Sequence, residues 1–499
     1  MNDSTPSAPR LVRALGPWMA VAIVVGTIIG SGVFKKPQQV AEYAPYFGLA
    51  ALAWVLGGVL ALLGSLALAE VAVLYPHAGG NYVYLREAYG RLAAFLWGWV
   101  EFWMIRGASI AALATVFSES LHDVLGNARF RESLGLSPTR HVLSHWEQRC
   151  LTVAVILTLA LVNVRGVRWG GVLQLFITTV KIGSLLTIMV LPFAGNWQPA
   201  GESVSGTANL APWWPASWQM STITGFGMAL LGVMWAYHGW MNIAPVAGEV
   251  RDPNRNLPLA FLAGTGIVIF LYLGANLAYA WVLPAAEMAQ CKDTPVATVF
   301  SERLLGPIGA AFASAAVMCS AFGALNGNLL VGPRVLYAMG DDRLAPRRLA
   351  AIHPRFHTPA VAIIVLAVWA ALLVLGAGFH ADPHRADSQS VFNILTGFAM
   401  FGATTFETLA VATIFVFRRS RPEVERPYRC RGYPWVPAVY VAILALVVVN
   451  QFWSQPTEAL FGLAFIGLGA LVYYLVFRGP VESQAATEAA EPEPTADAR

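Results

Sequence analysis

Apolar runs of roughly twenty residues recur from one end of this sequence to the other, and that leaves few folds open. About twenty consecutive apolar residues in a helix span the hydrocarbon core of a bilayer, where every backbone N–H and C=O must be satisfied internally. The reading is an all-α polytopic membrane protein. Composition agrees: the chain is 57% hydrophobic and only 12% charged, about half the charged share of a soluble protein. About twelve spans are expected, at roughly 14–40, 47–75, 92–120, 149–164, 170–193, 219–249, 257–282, 306–338, 359–377, 390–417, 434–452 and 457–477. The opening MNDSTPSAPRLVR does not read as a cleaved signal, because its apolar run is too long and ends in Lys35–Lys36.

The loops alternate in basic content. One set holds Arg10 and Arg13, Arg86 and Arg91, Arg165 and Arg168, Arg251 and Arg255, Arg343 to Arg355, and Arg418 to Arg431. The other set is poorer: Gly195–Ser217 has no Lys or Arg, although the 121–148 loop carries Arg129, Arg131 and Arg140. The positive-inside bias places both termini in the cytoplasm. The tail Glu482–Arg499 is rich in Ala, Glu, Pro and Thr, and is expected to be a disordered acidic extension. Four scattered cysteines offer neither a disulfide framework nor a metal spacing, and no cofactor, metal or nucleic acid is implied.

Two spans are interrupted. In the first, Gly26–Gly32 reads GTIIGSG, a composition ill suited to a continuous helix. It reads either as a small-residue packing face or as a break. In a break, the N–H groups of Gly30, Ser31 and Gly32 would hold a carboxylate at the start of a half-helix, and carbonyls on the other side would take an ammonium. In the sixth span, WAYHGW (Trp235–Trp240) again interrupts an apolar run. If the first five spans and the next five are inverted copies, these interruptions correspond, which is the layout of a transporter's substrate site.

The motifs GTIIGSGVF (Gly26–Phe34), EVAVLYPHAGGNYVYLREAYG (Glu70–Gly90), WAYHGWMNIAPVAGEVRDPNRNLP (Trp235–Pro258), AFGALNGN (Ala321–Asn328) and RPYRCRGYPWVP (Arg426–Pro437) carry a resemblance. Over about 14–477 the chain resembles the amino acid–polyamine–organocation transporter superfamily. Within it, the chain is most similar to L-type transporters, the light chains of heteromeric amino acid transporters, and their bacterial relatives. The resemblance implies the leucine-transporter fold, with a five-plus-five inverted repeat, helices 1 and 6 broken, and two further helices. The corresponding segments are an N-terminal tail (1–13), a first repeat (14–194), an external loop (195–218), a second repeat (219–417), a loop with helices 11 and 12 (418–480), and a tail (481–499).

Carried over, the resemblance puts the substrate carboxylate on the amides of Ser31 and Gly32 beside Gly30. It puts the α-amino group on carbonyls of Ile28, Trp235 and His238, with Trp235 as the gate. His238 departs from the glycine or aspartate of relatives; with no carboxylate at that position, cationic substrates are not favoured. Lys181 lies deep in the fifth span, where a lysine costs about 2.5–3.5 kcal/mol and needs polar partners. The resemblance gives it the place of a sodium ion, tied to the first break and, through Ser320, to helix 8. Glu101 and Arg106, five apart, fall on different sides of an α-helix and are not expected to pair. Glu249 is either a gate partner for arginine or solvated, Asn326 is packing glue or site, and Glu407 is unassigned.

No phosphate loop, HExxH or CxxC occurs, so an enzyme is not expected. The expected function is sodium-independent exchange or facilitated diffusion of neutral L-amino acids across an inner membrane. The alternatives are a proton symporter using Lys181 or His238, and a channel-like pore. Heteromeric relatives bond a heavy chain through a cysteine before span four. Cys150 falls too late for that, so no disulfide-linked heavy chain is expected. The sequence does not fix an oligomeric state.

Overall fold

The computed structural model describes residues 11–127, 131–132, 143–194, 206–291, 294–377, 391–454 and 456–478. The acidic tail, Arg10, Arg129, Arg140 and residues 195–205 of the 195–217 loop lie outside the described residues. The first span is two helices, α1 (Pro17–Ile28) and α2 (Gly32–Tyr43). Then come α3 (Phe47–Leu74), a short α4 (Asn81–Tyr89), α5 (Arg91–Gly126), α6 (His145–Val164) and α7 (Val167–Val190). The sixth span is α8 (Met220–Tyr237) followed by turns and a 3₁₀ segment, Ala244–Glu249. The second half continues with α9 (Pro253–Val282), α10 (Val296–Val331), α11 (Pro333–Asp341), α12 (Ala360–Ala377) and α13 (Val391–Ser420). Finally come α14 (Trp435–Ser454) and α15 (Pro456–Val472).

Among the described residues eleven helical spans are long and apolar enough to cross a membrane, and the shorter apolar helix Ala360–Gly376 makes the twelfth. The order is the expected one. The eighth span differs in starting early: α10 is two helical pieces joined at Gly306, whose φ of 65° suits glycine, and the segment before Gly306 is an extra short helix.

Burial grades from the first span outwards. In the first span 83% of the apolar window is buried, against 11% in the last. The α1 helix is nearly apolar all round and packs among α7, α9 and α10, as a helix with no solvated stripe must. The half-helix α2 packs against α8, so the two interrupted spans touch. The chain entering α1 also joins the exit of the sixth span: Leu15 N–H donates to Glu249 O at 2.9 Å, and Arg251 N–H to Leu15 O at 2.9 Å.

Candidate functional site

The first break is short and tightly held. After Ile28 the chain turns at Ile29 (φ −72°, ψ 85°), and Gly30 N–H donates to Ile28 O at 2.8 Å, closing an inverse γ-turn. This corrects the expectation that Gly30 offers a free amide. Ser31 and Gly32 match it better, because among the described residues neither N–H meets a backbone carbonyl. The Ser31 hydroxyl is buried with no hydrogen-bond partner. Gly32 is required by close approach: a Cβ there would lie 2.6 Å from the Ala236 Cα, so the amide end of α2 rests on the backbone of α8.

The second break follows from Gly239. Its φ of 106° is closed to other residues, so α8 stops at Tyr237, and His238 turns out at φ −57°, ψ 141°. The Trp235 carbonyl accepts the His238 N–H at 3.1 Å, while the His238 carbonyl accepts nothing among the described residues. The two breaks share a clamp that the sequence reading missed. The buried Tyr272 hydroxyl of α9 lies 2.9 Å from Ile28 O and 3.1 Å from Ala236 O. The Ile28 carbonyl, expected to meet the substrate, is thus already held by Tyr272 and Gly30. A tyrosine in the middle of the apolar run IFLYLGANL was the signal, since a buried hydroxyl needs a partner.

Lys181 reaches the first break from α7. Its ammonium donates to Gly26 O at 2.8 Å and Ile29 O at 2.5 Å, and the residue is 1% exposed. The hydroxyl of Ser320, on α10, lies 2.9 Å from Gly30 O and 3.2 Å from Ile29 O, so α7 and α10 meet at the Ile29 carbonyl. Gly323 makes room for the lysine: a Cβ there would lie 2.8 Å from its Cε.

Behind the second break the structure overturns the separation of Glu101 and Arg106. Residues Glu101–Arg106 form a π-helical turn. Its i→i+5 repeat brings residues five apart onto one face, which α-helical spacing does not. Arg106 Nε donates to Glu101 Oε1 at 2.7 Å, and its other nitrogens reach Asn328 (2.5 Å) and Asn242 (3.1 Å). Arg106 therefore braces the turn after His238 against α10. Asn326 is packing glue, bonded to Asn163 and Gln174 at 2.9 Å each. Glu249 is not solvated: it pairs with Arg334 at 2.8 Å, both side chains fully buried. Glu70 pairs with Arg418 (2.7 Å) and Arg426 (3.2 Å).

A carboxylate missing from position 238 arrives from another helix. Glu407 of α13 places Oε1 2.8 Å from Nδ1 of His238. The imidazole lies parallel to the Trp235 ring, 7° between planes and 6.1 Å between centroids. A cavity of about 310 Å³ also opens beside α2, lined by Val40, Ala41, Trp54, Leu273 and Leu277 among others. It touches none of the break residues and is apolar throughout most of its wall.

An amino acid permease family model matches residues 15–475. The chain belongs to the amino acid permease family. The permease is 31% identical over 470 residues to the serine/threonine exchanger SteT of Bacillus subtilis, covering 93% of this chain and 97% of that one. It is 31% identical over 480 residues to the human b(0,+)-type amino acid transporter 1, covering 95% and 90% of the two chains. It is 30% identical over 479 residues to the human cystine/glutamate transporter, covering 93% and 85%. The family is one of carriers rather than enzymes, and twelve spans with the first and sixth interrupted fit the leucine-transporter fold in this permease.

Proposed function

We propose that this permease exchanges neutral L-amino acids across the membrane by alternating access, with the zwitterion docked between the two breaks. The observation that carries the reading is the pairing of uncommitted groups: Gly32, next to Ser31, rests on Ala236 of α8, two residues before His238, whose carbonyl accepts nothing among the described residues. The carboxylate would sit on those amides at the positive end of α2, beside Gly30. The ammonium would take the carbonyls of His238 and Trp235, and that of Ile28 once Tyr272 shifts its hydroxyl to Ala236. Trp235 would close over the substrate. Relatives named as a serine/threonine exchanger and an amino acid transporter support the substrate class.

Lys181, placed on the Gly26 and Ile29 carbonyls, supplies the cation a sodium ion would supply elsewhere, so exchange proceeds without sodium. Segments 14–194 and 219–417 form the inverted repeats. The arginine-rich loops face the cytoplasm of an inner membrane, and the carrier works without a disulfide-linked heavy chain. Counterflow in proteoliposomes tests the reading. Labelled amino acid is expected to accumulate only when unlabelled amino acid is inside, and to ignore sodium and a pH gradient. Uptake without saturation would mean a pore, and accumulation driven by a pH gradient alone would mean a symporter.

A further inference from the structure

The exchange reading leaves one contact without a task, that of the buried Glu407 carboxylate with the partly exposed His238 ring. Glu407 is 4% exposed, and His238 is the one basic side chain within ion-pair distance of it among the described residues. The nearby cations are committed elsewhere: Arg106 to Glu101, Asn328 and Asn242, and Lys181 to the carbonyls of the first break. Glu407 Oε1 is closed to solvent, and although it lies 2.8 Å from Nδ1 of His238, it receives no aligned hydrogen bond. An acceptor left this way has lost its water without gaining a partner, and a donor that reaches it recovers that cost. The contact lies at the second break itself. His238 is the residue at which α8 stops, and its ring runs parallel to that of Trp235 one turn earlier. A substrate held by its backbone groups on the two breaks therefore has an indole face on one side of its side chain and an acceptor-rich polar wall beyond it.

Resting on the exchange reading, we infer that the His238–Glu407 pair sets side-chain specificity, selecting L-amino acids whose side chain carries a hydrogen-bond donor (a hydroxyl or amide) over aliphatic ones of the same shape. The discrimination works in one direction. A side chain that brings a donor relieves the cost this enclosed acceptor already carries, and an analogue lacking the donor gains nothing there. An aliphatic wall in place of Glu407 would lose that discrimination.

Threonine and valine are nearly the same shape and differ in one hydroxyl, so their competition against counterflow in proteoliposomes reads the pair directly. In the wild type, threonine is expected to half-inhibit at a concentration about tenfold or more below valine. Glu407→Val is expected to bring the two within about twofold, and Glu407→Gln, which keeps one acceptor oxygen, to give an intermediate ratio. A ratio near one in the wild type overturns the inference, as does an unchanged ratio in Glu407→Val. Should Glu407→Val fail to yield monodisperse protein, an unchanged ratio in Glu407→Gln overturns it. A role in packing alone would lower the rate for both substrates and leave the ratio unmoved. Transport without threonine preference refutes this inference and spares the carrier reading, whereas absence of any amino acid transport refutes both.

Discussion

Replacing Lys181 by methionine removes a charge from the heart of the membrane while keeping an unbranched stem of similar reach. The ammonium donates to two carbonyls, Gly26 O and Ile29 O. Hydrogen bonds to a charged group are worth about 1.5–3 kcal/mol each, so their joint loss is about 3–6 kcal/mol. Against this, the variant no longer buries an ammonium, a saving of about 2.5–3.5 kcal/mol. The net change in stability is then between about zero and 3.5 kcal/mol, and folded protein is expected with a modestly lower melting temperature. Transport is another matter. The released carbonyls belong to the unwound stretch that aims the Ser31 and Gly32 amides, and Ser320 alone still holds Ile29 O and Gly30 O. A misplacement of about 1 Å is enough for a loss near 100-fold. Melting in detergent and counterflow on the same preparation separate the two effects. Counterflow within about twofold of wild type would refute the claim that Lys181 positions the break. A failure to fold would refute the energetic reasoning.

Gly239→Ala is expected to cut counterflow severely with little loss of folded protein. Its φ of 106° costs a side chain about 1–2 kcal/mol, and the new Cβ would lie 3.1 Å from the Thr27 carbonyl oxygen. Glu249→Gln strips one partner from a fully buried pair. The expected loss is about 3–5 kcal/mol, seen as a large fall in melting temperature. Cys430 lies in the loop after α13, where burial and the Glu70 carboxylate push its thiol up to about 11. Because only the thiolate reacts, iodoacetamide at pH 8 is expected to label the exposed Cys150 well before Cys430. Labelling of Cys430 should rise as pH approaches 11.

The spans were legible because bilayer thickness imposes a length on each apolar run, and the two breaks because the interruptions fall at corresponding places in the two halves. Lys181 was legible in part: a charge so costly must have partners, and the family resemblance pointed to the first break. What stayed hidden needed the third dimension or a departure from regular geometry. Helical spacing separates Glu101 from Arg106, and only the π-helical turn reunites them. The Glu407–His238 contact joins residues 169 positions apart on α13 and at the end of α8, and no periodicity in either span announces it. Tyr272 was hidden by its ordinary surroundings, since aromatic residues occur in most of the spans. Gly30 was misread because a free amide was inferred from composition, whereas the γ-turn consumed it locally.

The two ends of the molecule are closed with unequal strength, and that inequality has a direction. At the end bearing the arginine-rich loops, Leu15 is bonded through its backbone to Glu249 and Arg251. There the Glu249–Arg334 pair is fully buried, and Glu70 is enclosed by Arg418, Arg426 and the Cys430 amide. Breaking a buried pair by separating its partners costs about 3–5 kcal/mol. At the opposite end the half-helix α2 is joined to α5 by Lys35 and Glu119 at 2.8 Å, with side chains 19% and 41% exposed. Such a pair in contact with solvent is worth about 0–1 kcal/mol. The cheaper first movement is therefore the release of α2 from α5. It would swing the Ser31 and Gly32 amides away from Ala236 while Lys181 and Ser320 keep the carbonyl side of the break fixed. In this conformation the site is poised to open towards the arginine-poor side, and opening the other way requires the buried pairs to part, a cost that substrate binding between the breaks has to offset.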